Sequence, residues 1–505
     1  MTDNPSIPSY NRLSTSEQSR LVDDATINEF GIDGFTLMEI AASGAAQIIG
    51  EISGKDKKGL FFCGKGNNGG DAIAAARYLT ESFGHHVTLT FPLGTSDLSP
   101  DAQKNFDLIS KLKEVNPAII IQSKKPKISD QNFDYIVDGM LGTGLDGDIG
   151  EPLNGLISEI NNSDLPVFSM DIPTGLNADT GEILGTCIKA DHTVTFGTNK
   201  VGFYLNQSKN VTGQVHFVEL PFPNHLKKFR ATLINDQTGL NVKPGDRDAE
   251  HKYQNGVVHI IAGSEGMTGA AIMAAQSAWK KGAGAVILYT PKKLLPVYEK
   301  NLPQVIKVEV GNDEDSFFKP EHTIQVLSSL KERKGTLLIG PGVGTRNDTA
   351  DFIEAVLREH HEEAVIDADA LMITDKLISF PQQQKDRWIL TPHIGEAKKY
   401  LKLSFKDDFT RLSAGEDFVK NHQLSLLLKG NPTFYIDKSG EQFITEYDTS
   451  MFTRAGFGDV LAGTISTNLA ITGERSTSVI DALNSGFKKY QLHPESDTFG
   501  PEHLL

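Results

Sequence analysis

Apolar positions along the chain fall into two alternating kinds of segment. Leu37, Ala41, Ala45, Ile48 and Ile52 recur at spacings of three and four, which is one apolar face of a helix. The stretch GIDG, Gly31 to Gly34, separates that helix from the one before it. Short apolar runs follow: GLFFC near 59–63, HVTLTF near 86–91, AIII near 118–121, YIVD near 135–138, PVFSMD near 166–171 and TVTF near 193–196. Segments of helical length lie between several of them, and strand alternating with helix predicts an α/β fold around a mostly parallel sheet. Residues 221 to 256 turn polar, with prolines and glycines, and the spacing predicts a domain boundary near residue 225. Beyond it the alternation restarts: VVHIIAG, the small-residue helix GAAIMAAQSAWKKG, then AVILYT, TLLIGPGVG, AVIDADAL, WILTPH, SLLLKG and FYID. Two α/β domains are therefore expected, 1–225 and 226–505, with no internal repeat between them.

The length of 505 residues suits two large domains, and 39% hydrophobic residues supply more than one core. Charged residues at 23% exclude disorder over most of the chain, and two cysteines, Cys63 and Cys187, exclude a disulfide framework. No window approaches the apolar length of a membrane span, so no membrane partner is expected. The net charge of −16, from 49 basic and 65 acidic side chains, speaks against a nucleic-acid partner. The short basic runs Lys55–Lys58 and Lys124–Lys127 read as solvated loops. The first residues hold neither an apolar signal core nor an Arg-rich amphipathic stretch, and a cytoplasmic protein is expected. An anionic ligand would have to be held by backbone N–H groups and helix N-termini.

GKGNNGGD, Gly64 to Asp71, follows one strand and opens a helix, with glycines at 64, 66 and 69 in G-x-G-x-x-G spacing. Bare N–H groups there suit a phosphate or another polar ligand. A dinucleotide fingerprint also wants a carboxylate ending the second strand. Here that strand ends Thr90-Phe91-Pro92, with the first carboxylate at Asp97, so a tight strand-to-helix turn capped by Asn or Asp stays open. Asp138 closes a strand ahead of the Gly-rich loop Gly142-Thr143-Gly144-Leu145-Asp146-Gly147-Asp148, and Asp171 closes the next in MDIPTG. Open α/β sheets bind ligands at such carboxyl ends. Asn68, Asp138 and Thr174 offer hard oxygen donors for an alkali or alkaline-earth cation, and Asp171 is a candidate acid/base. Each, taken alone, also reads as a cap or turn residue.

GNNGGD, D-x-x-L-G-T-G-L, MDIPTGL and ADHTVTFGTNKVG, after a helix carrying LMEIAASGAA, resemble the NAD(P)H-hydrate epimerase family over residues 10 to 220. The resemblance implies a Rossmann-like domain. It implies that Asn67, Asn68, Gly69, Gly70 and Asp71, with the 142–148 loop and Asp171, hold the substrate. It implies K⁺ on Asn68, Asp138 and Thr174, with Asp171 as acid/base. Ala72 and Ala42 stand where glycine is usual in that family.

In the second half, TPHIGE places His393 beside a turn, LLLKGNPT ends a strand with Lys429 and Gly430, and RAGFGDVLAG is a glycine turn before an apolar helix, with Asp459 at its mouth. Backbone N–H groups at such a turn can hold a polyphosphate while the carboxylate takes a proton from the attacked hydroxyl. A plain N-cap for Asp459, a hydrogen-bonded loop histidine for His393 and a solvated Lys429 are the alternatives. No G-x-x-x-x-G-K-[ST] is present, so a P-loop is not the nucleotide site.

HKYxxG, AGSxGMTGAA, IGPGVG, IDADAL, LTPHxGE, LKGxxT and GFGDVLAG come in the order of the ADP/ATP-dependent NAD(P)H-hydrate dehydratases, a ribokinase-like family, over about residues 245 to 470. That resemblance implies Ala270, Gly342, His393 and Asp459 at the hydrate, with Asp459 catalytic. It implies Lys429, Gly430, Asn431, Pro432, Thr433 and Gly458 at ADP or ATP, with Mg²⁺ on the nucleotide. Together the halves resemble the bifunctional NAD(P)H-hydrate repair enzymes. The implied substrates are hydrated NADH and NADPH, epimerised between R and S and dehydrated in the S form, and a homo-oligomer is expected. Phe457 replaces a small hydroxyl residue of the family's turn, Ile394 replaces a proline, and after Gly473 the usual final helix is not recognisable. The ring of Phe457 is therefore expected to take space meant for phosphate and to leave a weak dehydratase. A ribokinase-like small-molecule kinase and a nucleotide-binding protein with a decayed dehydratase site are the rival readings.

Overall fold

Alternation along one strand sets up the first unit. Leu60 and Phe62 enter one apolar core, and Phe61 and Cys63 enter another on the opposite face, as a period of two requires. Layers of helices on both faces follow from that. The computed structural model describes residues 7–122, 128, 132–236, 238, 242, 255–494 and 498–505. The described chain divides into two compact units, Ile7–Thr232 and Leu233–Leu505.

The first unit runs β1 (Arg12–Ser14), α1 (Ser16–Ala25), α2 (Gly34–Ser53), β2 (Lys58–Cys63), α3 (Asn67–Phe83), β3 (His86–Thr90), α4 (Pro100–Val115), β4 (Ile119–Gln122), β5 (Tyr135–Gly139), α5 (Leu153–Asn161), β6 (Val167–Met170), β7 (His192–Phe196), β8 (Asn199–Lys200) and β9 (Gln214–Val218), and the division falls within β10 (Ala231–Ile234). Its main sheet has the order β4-β3-β2-β5-β6-β7-β9 and is parallel throughout. The order reverses between β2 and β5, so a crevice opens at their carboxyl ends, where the first unit's motifs lie. Helix α1 starts in a capping box, Thr15 with Gln18, and a π turn, Thr26–Phe30, closes on Gly31 at φ +91°. The helix read from Leu37, Ala41 and Ala45 is α2, and it also buries Ala42, Ala46 and Ile49.

The second unit runs β11 (Val257–Ile261), α6 (Thr268–Lys281), β12 (Ala285–Pro291), α7 (Leu295–Asn301), β13 (Ile306–Val310), α8 (Thr323–Glu332), β14 (Thr336–Ile339), α9 (Asn347–Glu359), β15 (Ala364–Ile366), α10 (Thr374–Leu377), α11 (Gln382–Lys385), β16 (Trp388–Leu390), α12 (Ile394–Tyr400), α13 (Asp408–His422), β17 (Ser425–Leu428), β18 (Phe434–Ile436), β19 (Gln442–Thr445), α14 (Phe457–Thr472) and α15 (Arg475–Leu492). Strands β13-β12-β11-β14-β15-β16-β17 are parallel, and β18 and β19 continue antiparallel. The small residues Ala271, Ala274, Ala275 and Ala278 of α6 let α14 pack closely, and Ser277 donates to the Val460 carbonyl at 2.8 Å.

Helix α15 corrects the expectation drawn from the end of the chain, where no final helix was recognisable: Val479, Ile480, Ala482 and Leu483 bury one of its faces in the core. Among the described residues, no helix is long and apolar enough to cross a membrane. The basic run Lys124–Lys127 and residues 248–254 of DAEHKYQNG lie outside the described residues.

Candidate functional sites

In the first unit β2 delivers the chain to Gly64, and α3 begins at Asn67. The loop is tight enough to demand glycine: a Cβ on Gly69 would lie 2.1 Å from the Gly64 carbonyl oxygen. Asn68, Asp138 and Thr174 come together around Leu141. Asn68 Nδ2 donates to the Leu141 carbonyl at 2.9 Å, and Leu141 N–H donates to Thr174 Oγ1 at 3.0 Å. Thr174 Oγ1 donates to Asp138 Oδ1 at 2.7 Å, and its N–H to Oδ2 at 2.8 Å; Ser169 Oγ donates to Oδ2 at 2.9 Å. Burial pushes the Asp138 carboxyl up against those donors. Asn68 Oδ1 is buried with no hydrogen-bond partner, so one hard oxygen remains free to face a cation.

Beside this cluster opens a cleft of about 1180 Å³, lined by Asn67, Asn68, Asp71, Gly142 through Asp146, and Asp171. Gly147 and Asp148 do not line it, and Asp148 packs beside Gly185 instead. Gly69 and Gly70 do not line it either; they allow the close approach of Gly64 and Met38. Asp171 sits at φ +58° after β6. Its Oδ1 accepts from Lys200 Nζ, from Thr195 Oγ1 at 3.2 Å and from Phe196 N–H at 3.3 Å. Lys200, 2% exposed, also donates to Thr195 Oγ1 at 2.7 Å. Reading the sequence missed Lys200 as a site residue. It stands inside the quoted stretch ADHTVTFGTNKVG, as its one lysine. Asp71 is raised well above the usual carboxylate range by burial, with Asp171 and Asp23 adding and Lys200 opposing.

In the second unit a cleft of about 720 Å³ is lined by Asp367, His393, Glu396, Lys429, Gly430, Asn431, Thr433, Gly458 and Asp459, among others. Asp459 lies in the first turn of α14, whose N-terminus has no side-chain cap and follows Gly456 at φ +100°. The uncapped, positive end of that helix suits an anion. Burial pushes the Asp459 carboxyl up to about 7, with Asp367, Asp369 and Glu396 adding and Lys429 opposing. Lys429 Nζ donates to Asp367 Oδ1 at 2.8 Å, and Thr391 Oγ1 donates to the same oxygen at 2.7 Å. Burial lowers Lys429, but Asp367 and Glu396 outweigh it and the net shift is upward. A Cβ on Gly458 would stand 3.4 Å from Lys429 Nζ, so the ammonium lies over the start of α14.

The 429–433 loop is held by Arg411, 1% exposed, which donates to the Pro432 carbonyl at 2.6 Å and pairs with Asp408 at 3.0 Å. A Cβ on Gly430 would come within 2.1 Å of Arg411 Nη1, which explains the glycine. Pro432 itself does not line the cleft. His393 caps α12: its Nδ1 accepts from Gly395 N–H at 2.9 Å and from Glu396 N–H at 3.2 Å. Ala270 and Gly342 adjoin each other but do not line the Asp459 cleft, as their assignment to the hydrate had implied. Asp367 and Glu396 were missed although both lie in quoted motifs, because nothing in IDADAL or TPHIGE marks which carboxylate turns inward.

Phe457 was expected to take space meant for phosphate. Its ring is 3% exposed, stacked on Phe499 at 5.7 Å and 17° and edge-on to Phe452 at 5.4 Å. The ring packs in an aromatic cluster, and Phe457 also lines the Asp459 cleft; its peptide opens the helix.

Residues 34–202 match the family model described as YjeF-related protein N-terminus, and residues 258–486 match NAD(P)H-hydrate dehydratase. The chain is 31% identical over 463 residues to the bifunctional NAD(P)H-hydrate repair enzyme of Dictyoglomus turgidum, covering 90% of this chain and 88% of that one. It is 29% identical over 469 residues to the namesake from Salinibacter ruber, covering 89% and 86%. Among solved structures it is similar to the ADP/ATP-dependent NAD(P)H-hydrate dehydratase of Bacillus subtilis co-crystallised with ATP/Mg²⁺, at 21% identity and a TM-score of 0.44, over 52% of this chain and 91% of that one.

Proposed function

The chain belongs to the bifunctional NAD(P)H-hydrate repair enzymes, interconverting the R and S forms of hydrated NADH and NADPH and dehydrating the S form at the expense of ADP or ATP, and from that premise we propose which of its residues do each job. In the first unit Asp171 is the acid/base, ion-paired to Lys200 and facing the cleft. Asn67, Asp71 and the 142–146 loop hold the substrate. The donor set of Asn68, Asp138 and Thr174 fits K⁺, because a buried Asn68 Oδ1 without a partner stands beside a buried carboxyl and a hydroxyl. When bound, K⁺ supplies a fixed positive charge next to the 142–146 loop.

In the second unit Asp459 accepts the proton of the ring hydroxyl as it attacks the terminal phosphoryl group of the nucleotide. The N-terminus of α14, Gly458 and Lys429 receive the phosphoryl oxygens, and Gly430, Asn431 and Thr433 take the nucleotide; His393 borders the hydrate. Among the described residues, no group of three His, Cys, Asp or Glu side chains is placed to hold a metal, so Mg²⁺ would rest chiefly on the nucleotide's phosphates and water. Loss of the phosphate from the activated carbon then restores the dihydronicotinamide. We also place the enzyme in the cytoplasm as a homo-oligomer. Its two free, buried cysteines suit a reducing compartment, and cell fractionation and sedimentation test both statements.

The observation that carries the reading is Asp459, with its raised carboxyl, at the uncapped N-terminus of α14 beside Lys429. The test is to supply mixed hydrate epimers with ADP or ATP and follow the reduced-nicotinamide absorbance. Full recovery of both epimers is expected. Recovery stopping at the S share would remove the epimerase assignment. A stable phosphorylated product would instead favour a small-molecule kinase, and nucleotide binding without turnover a decayed site. Asn68→Ala should raise the K⁺ concentration needed for half-maximal epimerisation; an unchanged requirement would remove Asn68 from the ion.

A further inference from the structure

The mechanism so far leaves one feature of the epimerase cleft unused. Ser16, Glu17, Ser19, Arg20, Asp23 and Asp24 of helix α1 line the cleft; among them Ser16, Ser19, Arg20 and Asp23 run on to Ile27 of the following turn. Spacings of three and four make this one face of the helix. The direction of that face is fixed at Ser19, whose Oγ lies 2.6 Å from Thr198 Oγ1. Thr198 leads directly into Asn199 and Lys200. One turn beyond Ser19, on the same face, is Asp23. The cleft therefore gathers Asp23, Asp71 and Asp171 with a single buried cation, Lys200, whose ammonium is bonded to Asp171.

We propose that Asp23 is a second catalytic residue of the epimerase, working opposite Asp171 as the proton donor to the departing hydroxyl. The proposal rests on the reading of this unit as the epimerase with Asp171 as its acid/base. The hydroxyl of a hydrated dihydronicotinamide sits on the ring carbon beside the ring nitrogen. Inverting that carbon needs its C–O bond broken and remade on the other face. The hydroxyl takes the proton of one carboxyl and leaves as water, and the nitrogen lone pair forms the C=N bond of an iminium. Water then adds from the opposite face; its oxygen bonds the carbon, the C=N electrons return to nitrogen, and the other carboxylate takes the released proton. One proton is given and one taken, and no oxidant or reductant is required. In the reverse direction the two aspartates exchange roles, as an interconversion of two epimers demands.

Two carboxyls in one cleft with different partners divide naturally into donor and acceptor. Asp171 is ion-paired to Lys200. Asp23 has no such lysine of its own: burial pushes its carboxyl up to about 7, with Lys200 opposing and Asp171 and Asp24 adding. It thus still carries a proton near neutrality.

The experiment compares the full-length wild type, Asp23→Asn, Asp23→Glu and Asp71→Asn in water enriched in ¹⁸O, reading the epimerisation rate and label at the hydroxyl. Wild type should take up one solvent oxygen per inversion. Asp23→Asn should lose kcat by about 10²–10⁴-fold with KM within a few-fold, label uptake falling in parallel, while Asp23→Glu keeps measurable turnover. Should Asp23→Asn fail to fold, Asp23→Ser is read by the same criteria. The proposal is overturned if Asp23→Asn epimerises within about tenfold of wild type, if its loss lies wholly in KM, if Asp71→Asn alone carries the loss, or if inversion proceeds without label. An epimerisation-dead wild type or a fully active Asp171→Ala would instead sink the underlying reading, so the two failures are distinguishable.

Discussion

The two sites place the same side chain at similar points in an α/β layer and treat its charge differently. Asp171 is bonded directly by Lys200, which is 2% exposed, donates also to Thr195 and acts on Asp23 and Asp71 as well. Asp459 has Lys429 nearby, but that ammonium is already bonded to Asp367, and Glu396 also draws on it. Two consequences follow from this difference. The first site sets Lys200 directly on the Asp171 carboxylate, whereas in the second Lys429 is bonded to Asp367 and Asp459 stands at a helix N-terminus, in a cleft also lined by Lys280, Lys281, Arg454 and Lys489. A phosphate arriving at that terminus must be accommodated beside carboxylates, which fits a nucleotide that brings Mg²⁺ with it.

The largest expected effects test whether the two aspartates act independently. Asp171→Ala should lower epimerisation by about 10²–10⁴-fold, and Asp459→Asn should lower dehydration by a comparable factor. Each should leave the other reaction unchanged, as read by epimer-resolved chromatography and absorbance recovery. Asp459→Asn should still bind nucleotide. If either variant impairs both reactions, the division of labour between the units is wrong.

Next in size is Phe457→Ser. A phenylalanine buried in an aromatic cluster typically costs about 3–5 kcal/mol when truncated. The variant should therefore unfold the second unit at lower denaturant and should not turn over faster. A faster variant of undiminished stability would support the obstructed anion site.

The smallest effects concern pH. Asp459 must be ionised to act as a base, and its carboxyl is raised from an ordinary 3.8 to about 7. Dehydration should rise roughly tenfold per pH unit below 7 and level off above it. Stability runs the other way. Between 3.8 and 7 the folded state holds a proton that the unfolded state has released, so this group's contribution falls as pH rises through that window. Asp459→Asn should accordingly stabilise the second unit above pH 7, by up to about 4 kcal/mol, measured as a midpoint shift that vanishes near pH 4. A flat pH–rate profile across that range would remove Asp459 as the titrating base.

The order of elements was legible because each is dictated locally. GLFFC and YIVD are buried on both faces and read as strands β2 and β5 without ambiguity. Strand β9, QVHFV, was missed because it lies at the sheet edge, half-buried, and carries polar residues that blur the pattern. Helix α15 was missed for a related reason: its buried face interleaves the polar Ser478, Asp481 and Asn484 with Val479, Ile480, Ala482 and Leu483, and Asp481 is paired with Lys281 at 2.6 Å.

By itself the sequence determined the two α/β units, the glycine turns and the aspartates that end strands or open helices, because backbone geometry and side-chain period are properties of neighbours along the chain. Only the tertiary structure decided which charges meet. Lys200 reaches Asp171 across 29 positions and Lys429 reaches Asp367 across 62. Asp23 shares the cleft of Asp171 and Lys200 from a helix at the start of the first unit, and the ring of Phe457 packs in an aromatic cluster. Coulomb energy and burial depend on distance in space, and a motif read along the chain carries neither.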